Sequence, residues 1–275
     1  MRVHSLTNGS TRQKMGAGST IAVIVATCDR PELLASRSIP SILTQTKSPD
    51  ILIIIDDSRS LINKEKNAAY VKSIRSESTA ISLVSNQRTL GASGAWNTGI
   101  DLIFRQVELP ENTYVAILDD DDAWRPSYLA KCIERALSGP YDFVAADLSR
   151  IEDVNGPPLE DPGPSMLNAD DFLIGNPGLQ ASNLFLRLST MLMAGCFDES
   201  IRSSTDRDLC IRLSDLSTIR YTRLPEVLVD HYAEPERARL TSSGSEAKLS
   251  GLDTFWNKYG GRMNKSENID KLAAA

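Results

Sequence analysis

Short apolar runs alternate with amphipathic stretches through the first half of this chain. Each run is rich in Ile or Val and is bounded by polar residues, which is typical of a buried strand. Strands are predicted at residues 20–26, 51–55, 80–84, 114–118 and 142–146.

The stretches between these strands have apolar residues at helical spacing. Residues 31–45 are predicted to form a helix with Asp29 as its N-cap. That helix is expected to bend at Pro40, because proline has no N–H to donate. Further helices are predicted at 63–75, 91–106 and 126–137. The alternation of strand and helix predicts a doubly wound, mostly parallel α/β sheet.

The pattern changes after Asp147. Residues 152–168 contain four prolines and two glycines, so they are predicted to form a long irregular segment that is functional or mobile. Shorter elements are predicted beyond it, with strands at 184–187, 219–222 and 227–232 and helices at 188–194, 206–216 and 246–259.

Composition narrows the class of protein. The 275 residues carry a net charge of -6, which argues against a general nucleic-acid binder with a basic face. The hydrophobic fraction of 41% is that of a globular protein, and the longest apolar runs are far shorter than the about 20 residues of a membrane span. The four cysteines form no Cys-x-x-Cys pair, which favours reduced thiols in a cytoplasmic protein and argues against a zinc site.

The two ends of the chain are predicted to lie outside the folded part. Residues 1–19 are polar and lack the apolar core of a signal peptide, so we expect a disordered leader. Residues 271–275 have the composition of a cloning remnant.

Four consecutive aspartates, Asp119 to Asp122, directly follow the fourth predicted strand. Pro126 is well placed to be the first residue of the next helix. The acids therefore occupy the carboxyl end of a strand, where open α/β sheets bind ligands. Carboxylates this close repel one another, and a hard cation such as Mg²⁺ or Mn²⁺ would remove that repulsion. The alternative is a solvated acidic loop.

Polar residues also follow the first three predicted strands. Thr27, Asp29 and Arg30 follow the first strand, Asp57 follows the second, and Arg88 follows the third. The carboxyl ends of parallel strands share one edge, where helix N-termini favour anions such as a diphosphate. Carboxylates there can accept hydrogen bonds from a base or a ribose. Each motif alone is weak, since Asp-Asp-Ser is more often a cap or turn; their order together is a stronger signal.

With these motifs the chain resembles the family 2 glycosyltransferases, which have the GT-A fold. The resemblance covers about residues 20–232. The matching segments are 25–30, 54–58, Gly91 with Asn97-Thr98-Gly99, 118–122 with Pro126, 195–199 and 206–213. It implies a mostly parallel, GT-A-like sheet with a smaller mixed sheet on the acceptor side. The implied divisions are a nucleotide-sugar-binding half at 20–147, an acceptor-binding half at 148–240 and a helical extension at 241–270.

The resemblance also implies roles for individual residues. In that family an Asp-x-Asp motif holds the ribose and a divalent metal, here Mn²⁺ or Mg²⁺. Carried over, Asp119 and Asp120 contact the nucleotide, and Asp121 with Asp119 binds the metal. Nucleotide-sugar contacts are further implied for Thr27, Asp29, Arg30, Asp57, Arg88 and Asn97. His231 matches a metal- or diphosphate-binding position of some members, although a lone histidine is more often structural.

An inverting transfer needs a base that deprotonates the acceptor hydroxyl. The family supplies an Asp at the start of a late helix, and in this chain the matching residue is Asp206. Thr205 stands where the family often has Glu, so Asp208 is the alternative if the register differs by two residues. The structural alternative makes Asp206 an acid of the first helical turn, favoured by the helix dipole.

The resemblance thus implies a metal-dependent inverting glycosyltransferase. UDP-sugar is the default donor, and the acceptor is a sugar or another hydroxyl compound, reached by peripheral contact if it is linked to a lipid. One rival is a nucleotidyltransferase, against which the glycine-free loop after the first strand argues. The other is a nucleotide-sugar-binding protein without catalysis.

Overall fold

A computed structural model describes residues 18–153, 155–233 and 245–263 of the chain. The strands are β1 (Thr20–Thr27), β2 (Ile51–Asp56), β3 (Ala80–Ser85), β4 (Thr113–Asp119), β5 (Ala123–Trp124), β6 (Phe143–Ile151), β7 (Leu159–Asp161), β8 (Leu184–Arg187) and β9 (Tyr221–Tyr232). The helices are α1 (Pro31–Leu33), α2 (Ile39–Leu43), α3 (Leu61–Ser73), α4 (Ala92–Gln106), α5 (Tyr128–Ser138), α6 (Ala169–Ile174), α7 (Leu188–Met193), α8 (Thr205–Ser214) and α9 (Glu246–Tyr259).

Several predicted segments lie wholly or partly outside the described residues. They are all but the last two residues of the leader at 1–19, the end of the acceptor half at 234–240, parts of the extension at 241–270, and the tail at 271–275. The division of the chain into halves stays a prediction.

One sheet runs through the described part of the chain, in the order β3-β2-β1-β4-β8-β6-β9-β5, with β7 paired to β6. Strands β1 to β4 are parallel, as predicted. Strand β8 is antiparallel to both β4 and β6 and joins the two groups of strands. The predicted α/β class is confirmed, and the mixed strands belong to the same sheet as the parallel ones rather than to a separate one.

Helices cover both faces of this sheet, and side chains of β1 alternate between the two cores. Ala22 and Ile24 pack in a core with α4 and α8, whereas Ile21, Val23 and Val25 pack in a core with α2 and α5. A strand that is buried on both faces has a continuous run of apolar residues, so β1 could be located from the sequence pattern. Among the described residues, no helix combines the length and apolarity required to cross a membrane.

The predicted helix at 31–45 consists of α1, a π-helical segment at Leu34–Ser38, and α2. The π-helical segment directly precedes Pro40, and a wider turn accommodates a residue that lacks an N–H. The N-cap prediction was wrong: Arg30 holds that position, and Asp29 lies one residue earlier.

Among the other differences from the predicted boundaries, three change the description of an element. Helix α5 begins after Ser127, because the carbonyl of Pro126 accepts the N–H of Thr46 in a loop contact. The two short strands predicted at 219–222 and 227–232 form the single strand β9, which follows β6 with register shifts. Residues 152–168 are mostly irregular, as predicted, but contain β7.

Candidate active site

The ends of three parallel strands lie side by side and bring their polar residues to one edge of the sheet. Thr27 of β1 pairs in register with Asp56 of β2, and Ala26 pairs with Asp119 of β4. The residues that follow these strands therefore start from adjacent positions. This arrangement is the one that the strand-and-turn pattern predicted for Thr27, Asp57 and the aspartate run.

Asp120 is fully buried and is held by the last residue of β1 and by a residue of the β1–α1 loop. The Thr27 hydroxyl donates to Oδ2 at 2.7 Å, and Arg30 Nη2 lies 2.5 Å from Oδ1. Burial raises the pKa of Asp120 to about 6, although Arg30 opposes the rise. The structure thus brings together Thr27, Arg30 and Asp120, all predicted nucleotide contacts.

Arg30 also reaches the next aspartate, and a second arginine supports the same turn. Arg30 Nη1 lies 2.9 Å from Asp121 Oδ2, and Arg37 Nη1 donates to the Asp121 carbonyl at 2.9 Å. The Arg37 guanidinium also stacks 3.8 Å from the centroid of Tyr232. Arg37 was not predicted as a site residue. The sequence signal for it was its position seven residues after Arg30, which is two helical turns and places both on one face of a helix.

Asp122 points away from Arg30 and is buried against the end of β9. Its oxygens accept the Ser182 hydroxyl at 2.7 Å and the Tyr232 N–H at 3.1 Å, and His231 Nδ1 lies 3.0 Å away. Burial acts to raise the pKa of Asp122, but the imidazole and these hydrogen bonds outweigh it and lower that pKa. His231, a predicted metal residue, is therefore placed against the aspartate run.

Asp119, Asp121 and Asp122 each offer one carboxylate oxygen, and these three oxygens lie within 4.8 Å of one another. The pKa of Asp119 is raised well above its usual range. Burial is the largest cause, and repulsion from Asp121, Asp122 and Asp206 adds to it. A divalent cation with oxygen ligands would relieve this repulsion, so the residues fit such an ion.

Asp206 lies in the first turn of α8 and faces this group of acids. Burial raises its pKa to about 7, while the Ala181 N–H and His231 act in the opposite direction. Its Oδ1 is buried and has no hydrogen-bond partner in the described part of the chain.

Asp208, the alternative base, faces another part of the molecule. Its carboxylate accepts from Arg212 at 2.6 Å and from the Tyr259 hydroxyl at 2.7 Å, and Lys258 lies 2.6 Å away. These contacts attach α9 to α8. The orientation of the two side chains therefore favours Asp206 over Asp208 as the base.

Asp57 and Asp29 organise the loops that follow β2 and β3. Asp57 accepts the Asn86 amide at 2.8 Å and the N–H of Gly91 at 2.8 Å, where Gly91 has a φ of 113° that favours glycine. Asp29 instead accepts the N–H of Ser60 at 3.0 Å, which holds the loop after β2. Its carboxylate is engaged there, and the described contacts do not bring it to the aspartate run.

Arg88 and Asn97 meet at Glu199 rather than at the aspartate run. Arg88 Nε lies 2.5 Å from Glu199, and the Asn97 amide donates to Glu199 at 2.8 Å and to the Phe197 carbonyl at 2.9 Å. Despite partial burial, these donors and Thr89 lower the pKa of Glu199 to about 2. Glu199 was not predicted to act here, although it lies in the matching segment 195–199.

A family model for glycosyl transferase family 2 matches residues 22–179, which is more than half of the chain. The chain belongs to glycosyl transferase family 2. The resemblance read from the motifs is thereby confirmed.

Curated relatives of this family 2 chain agree with the assignment. The amylovoran biosynthesis glycosyltransferase AmsB of Erwinia amylovora is 30% identical over 222 residues, which are 76% of this chain and 67% of the relative. The succinoglycan biosynthesis protein ExoW of Rhizobium meliloti is 25% identical over 66% of this chain and 57% of the relative. The uncharacterized glycosyltransferase MJ1057 of Methanocaldococcus jannaschii is 31% identical over 40% of this chain and 35% of the relative. The chain thus spans between about a third and two thirds of these relatives.

Solved structures of low identity share the fold. TarS of S. aureus, residues 1-349 in complex with UDP-GlcNAc, superposes with a TM-score of 0.60 at 13% identity, covering 92% of this chain and 78% of TarS. The mannosyltransferase PcManGT of Pyrobaculum calidifontis, in complex with GDP-Man and Mn²⁺, superposes with a TM-score of 0.61 at 14% identity. The similarity covers 91% of this chain and 66% of PcManGT. These similarities confirm the predicted GT-A fold.

Proposed function

We propose that this family 2 chain transfers a sugar from a nucleoside-diphosphate sugar to an acceptor hydroxyl, with inversion at the anomeric carbon. The observation that carries the proposal is the convergence of Asp119, Asp121 and Asp206 at one sheet edge. Asp119 and Asp121 contribute to a carboxylate group within 4.8 Å, and Asp206 is close enough to raise the pKa of Asp119.

Asp206 is the proposed general base. It takes the proton of the acceptor hydroxyl while that oxygen attacks the anomeric carbon and the bond to the diphosphate breaks. A base works best when its pKa lies near the operating pH, and burial raises the pKa of Asp206 to about 7. Its unpartnered Oδ1 leaves a lone pair for the acceptor proton.

Asp119, Asp121 and His231 are the proposed ligands of Mn²⁺ or Mg²⁺. A divalent cation bound there would supply positive charge against the phosphate oxygens of the departing nucleoside diphosphate. The repulsion within the carboxylate group supports this assignment, and the related fold of PcManGT was solved with Mn²⁺. Neither ion is favoured over the other.

A UDP-sugar is the proposed first donor. TarS was solved with UDP-GlcNAc and PcManGT with GDP-Man, so GDP-sugars are the matched comparison. Asp57 and Asp120 carry acceptor oxygens for base and ribose, with Thr27 and Arg30 beside them. Arg88 and Asn97 act through Glu199, and Asp29 through the loop after β2, so we propose positioning roles for these three.

The acceptor is proposed to enter from the side of residues 148–240. It is proposed to be a sugar-containing compound or another compound with a hydroxyl group. If the acceptor is attached to a lipid, the protein would reach it by peripheral contact with the membrane. All four cysteines are free thiols, which supports the proposed cytoplasmic location. A nucleotide-sugar-binding protein without catalysis is the remaining alternative, and the free lone pair of Asp206 argues against it.

The donor half of the proposal is tested by isothermal calorimetry of UDP and GDP binding, with Mn²⁺, with Mg²⁺ and with EDTA. Asp121→Ala should abolish the metal-dependent part of the affinity, because it removes one of two proposed carboxylate ligands. Asp253→Ala is the control, since Asp253 is an exposed acid on α9. Equal nucleotide affinity with EDTA and with metal would contradict the metal assignment.

A further inference from the structure

The loop between β3 and α4 has little buried surface to hold it in place. Residues 87–90 are exposed, and Leu90 is 69% exposed. The same loop carries both partners of the Asp57 carboxylate. The Asn86 amide donates to Oδ1 and the Gly91 N–H donates to Oδ2, each at 2.8 Å. The orientation of Asp57 therefore depends on the hydrogen bonds that fix this loop.

Glu199 provides those hydrogen bonds from a distant part of the chain. Its Oε2 accepts both the N–H of Thr89, at 3.2 Å, and the Thr89 hydroxyl, while its Oε1 lies 2.5 Å from Arg88 Nε. The Thr89 carbonyl in turn accepts the Asn86 amide at 2.9 Å. A continuous chain of hydrogen bonds thus runs from Glu199 through Thr89 and Asn86 to Asp57.

Glu199 itself is fixed by contacts with α4. The buried Asn97 side chain bonds Phe197 in both directions: its amide donates to the Phe197 carbonyl at 2.9 Å, and its oxygen accepts the Phe197 N–H at 3.0 Å. The Phe197 ring packs on Trp96 with the ring centroids 4.7 Å apart, and the Asn97 amide also donates to Glu199 Oε1 at 2.8 Å. Glu199 is therefore a firm attachment point, and the exposed loop is the part that it holds.

We infer that Glu199 is a positioning residue for nucleotide binding, which acts through Thr89 and Asn86 to orient the carboxylate of Asp57. The inference rests on the proposed function, in which Asp57 offers acceptor oxygens to the base. It adds to the donor site a residue from the second half of the chain that does not itself touch the nucleotide.

The chemistry of the cluster explains why a carboxylate is needed at this position. An ionised carboxylate only accepts hydrogen bonds and has room for about four donors. Four donors face Glu199, namely the N–H and O–H of Thr89, the amide of Asn97 and the guanidinium of Arg88. A glutamine has one oxygen and one NH₂ group, so two of these donors would face another donor.

Glu199→Gln is the direct test, with calorimetry of UDP and GDP binding in Mn²⁺. The affinity for the nucleotide that the unmodified protein binds more tightly should fall by about 10-fold or more, because hydrogen bonds to a charged group are lost. Asp101→Asn is the matched control. Asp101 is the other carboxylate partner of Arg88, with its oxygen 2.7 Å from Nη1, and its loss should change the affinity by less than about 2-fold. Unchanged affinity in Glu199→Gln, or equal losses in both variants, would overturn the inference.

A double-mutant cycle with Asp57→Asn separates positioning from a general loss of structure. In the Asp57→Asn background, Glu199→Gln should cause no further loss of nucleotide affinity, because the carboxylate through which it acts is absent. A full additional loss in that background would show that Glu199 acts by another route and would overturn the inference.

Thr89→Val keeps the inference testable even if Glu199→Gln folds poorly. It removes only the hydroxyl donor to Glu199 at an exposed position, so the fold should be retained and nucleotide affinity should fall by about 3-fold. A Thr89→Val protein with unchanged nucleotide affinity would contradict the proposed chain of hydrogen bonds.

These outcomes separate the inference from the proposed function. Absence of both UDP and GDP binding in the unmodified protein would refute the proposed donor site, and the role of Glu199 with it. Nucleotide binding that is weakened by Asp57→Asn but unchanged in Glu199→Gln would refute only the positioning role.

Discussion

Asp206→Asn is expected to stabilise the metal-free protein while it removes catalysis. The change keeps the shape of the side chain but removes its charge and its basicity. Asp206 is half-buried at the start of α8, and burial of its carboxylate raises its pKa from the usual 3.8 to about 7. Ionised Asp206 is therefore a destabilising group near neutral pH, and the amide does not carry that penalty.

The magnitude follows from the two pKa values. Each pKa unit corresponds to about 1.4 kcal/mol, so full ionisation of Asp206 lowers the free energy of unfolding by at most about 4 kcal/mol. Partial solvent contact reduces this value, and the buried amide must find its own hydrogen bonds. We expect Asp206→Asn to raise the free energy of unfolding at pH 7.5 by about 1–3 kcal/mol.

The pH dependence has a definite sign. The folded chain holds the Asp206 proton up to about pH 7, whereas the unfolded chain releases it near pH 4. The folded state thus binds more protons in this window, so the contribution of Asp206 to stability falls as the pH rises from about 4 to about 7. The stabilising effect of Asp206→Asn should accordingly grow over the same range and be small at pH 4.

Urea unfolding in EDTA at several pH values measures the stability, and sugar transfer with Mn²⁺ measures the activity. Transfer should fall by about 10²-fold or more, while UDP affinity stays nearly unchanged. Asp208→Asn is the control with the opposite sign. Asp208 is fully buried beside Arg212, and disrupting such a pair costs about 3–5 kcal/mol.

A loss of stability in Asp206→Asn at pH 7.5 would refute the reasoning. It would identify Asp206 as a first-turn acid that stabilises α8 through the helix dipole, an effect of about 0.3–1 kcal/mol. Full transfer activity in Asp206→Asn would show that the base lies elsewhere, and loss of activity in Asp208→Asn alone would shift the motif by two residues.

Two further predictions concern the scaffold. Gly94→Ala should destabilise the protein by about 3 kcal/mol in thermal unfolding, because an added Cβ would lie 1.9 Å from the Thr89 carbonyl oxygen. The control Gly175→Ala has open space around the added Cβ and should change stability by less than about 0.5 kcal/mol. Similar effects of the two changes would contradict the packing of α4. Limited proteolysis should cut first within the segment 152–168, because of its proline and glycine content. UDP with Mn²⁺ should slow the cut if the segment closes over the site. First cleavage within 51–118 would contradict both the assignment of this segment and the buried core.

Strands β1, β2 and β4 could be located from the sequence because they are buried on both faces and are therefore continuously apolar. Strand β8 and helix α9 were predicted with the bounds that the structure has, and β1 and β2 were predicted to within one residue. The helix at 31–45 was predicted as an element but not as a helix with a π-helical segment, since periodicity does not reveal which hydrogen bonds a proline displaces.

The aspartate run could be assigned to a sheet edge because residues that follow parallel strands always meet there. The different roles of its members could not be read from four identical letters. Asp120 is paired with Arg30, and Asp122 with His231, which is 109 residues away in the chain. The interaction of Glu199 with Asn97, 102 residues apart, was equally invisible to local patterns.

The sequence by itself determined the α/β class, the order of the first four strands with the helices between them, and the polar residues that follow those strands. These features depend on local periodicity and on the residue types after each strand. Only the tertiary structure decided that β8 inserts antiparallel between β4 and β6, that Asp206 rather than Asp208 faces the acids, and that Asp122 contacts His231. Each of these depends on which surfaces pack together over long sequence separations, and local hydrophobic patterns carry no information about that choice.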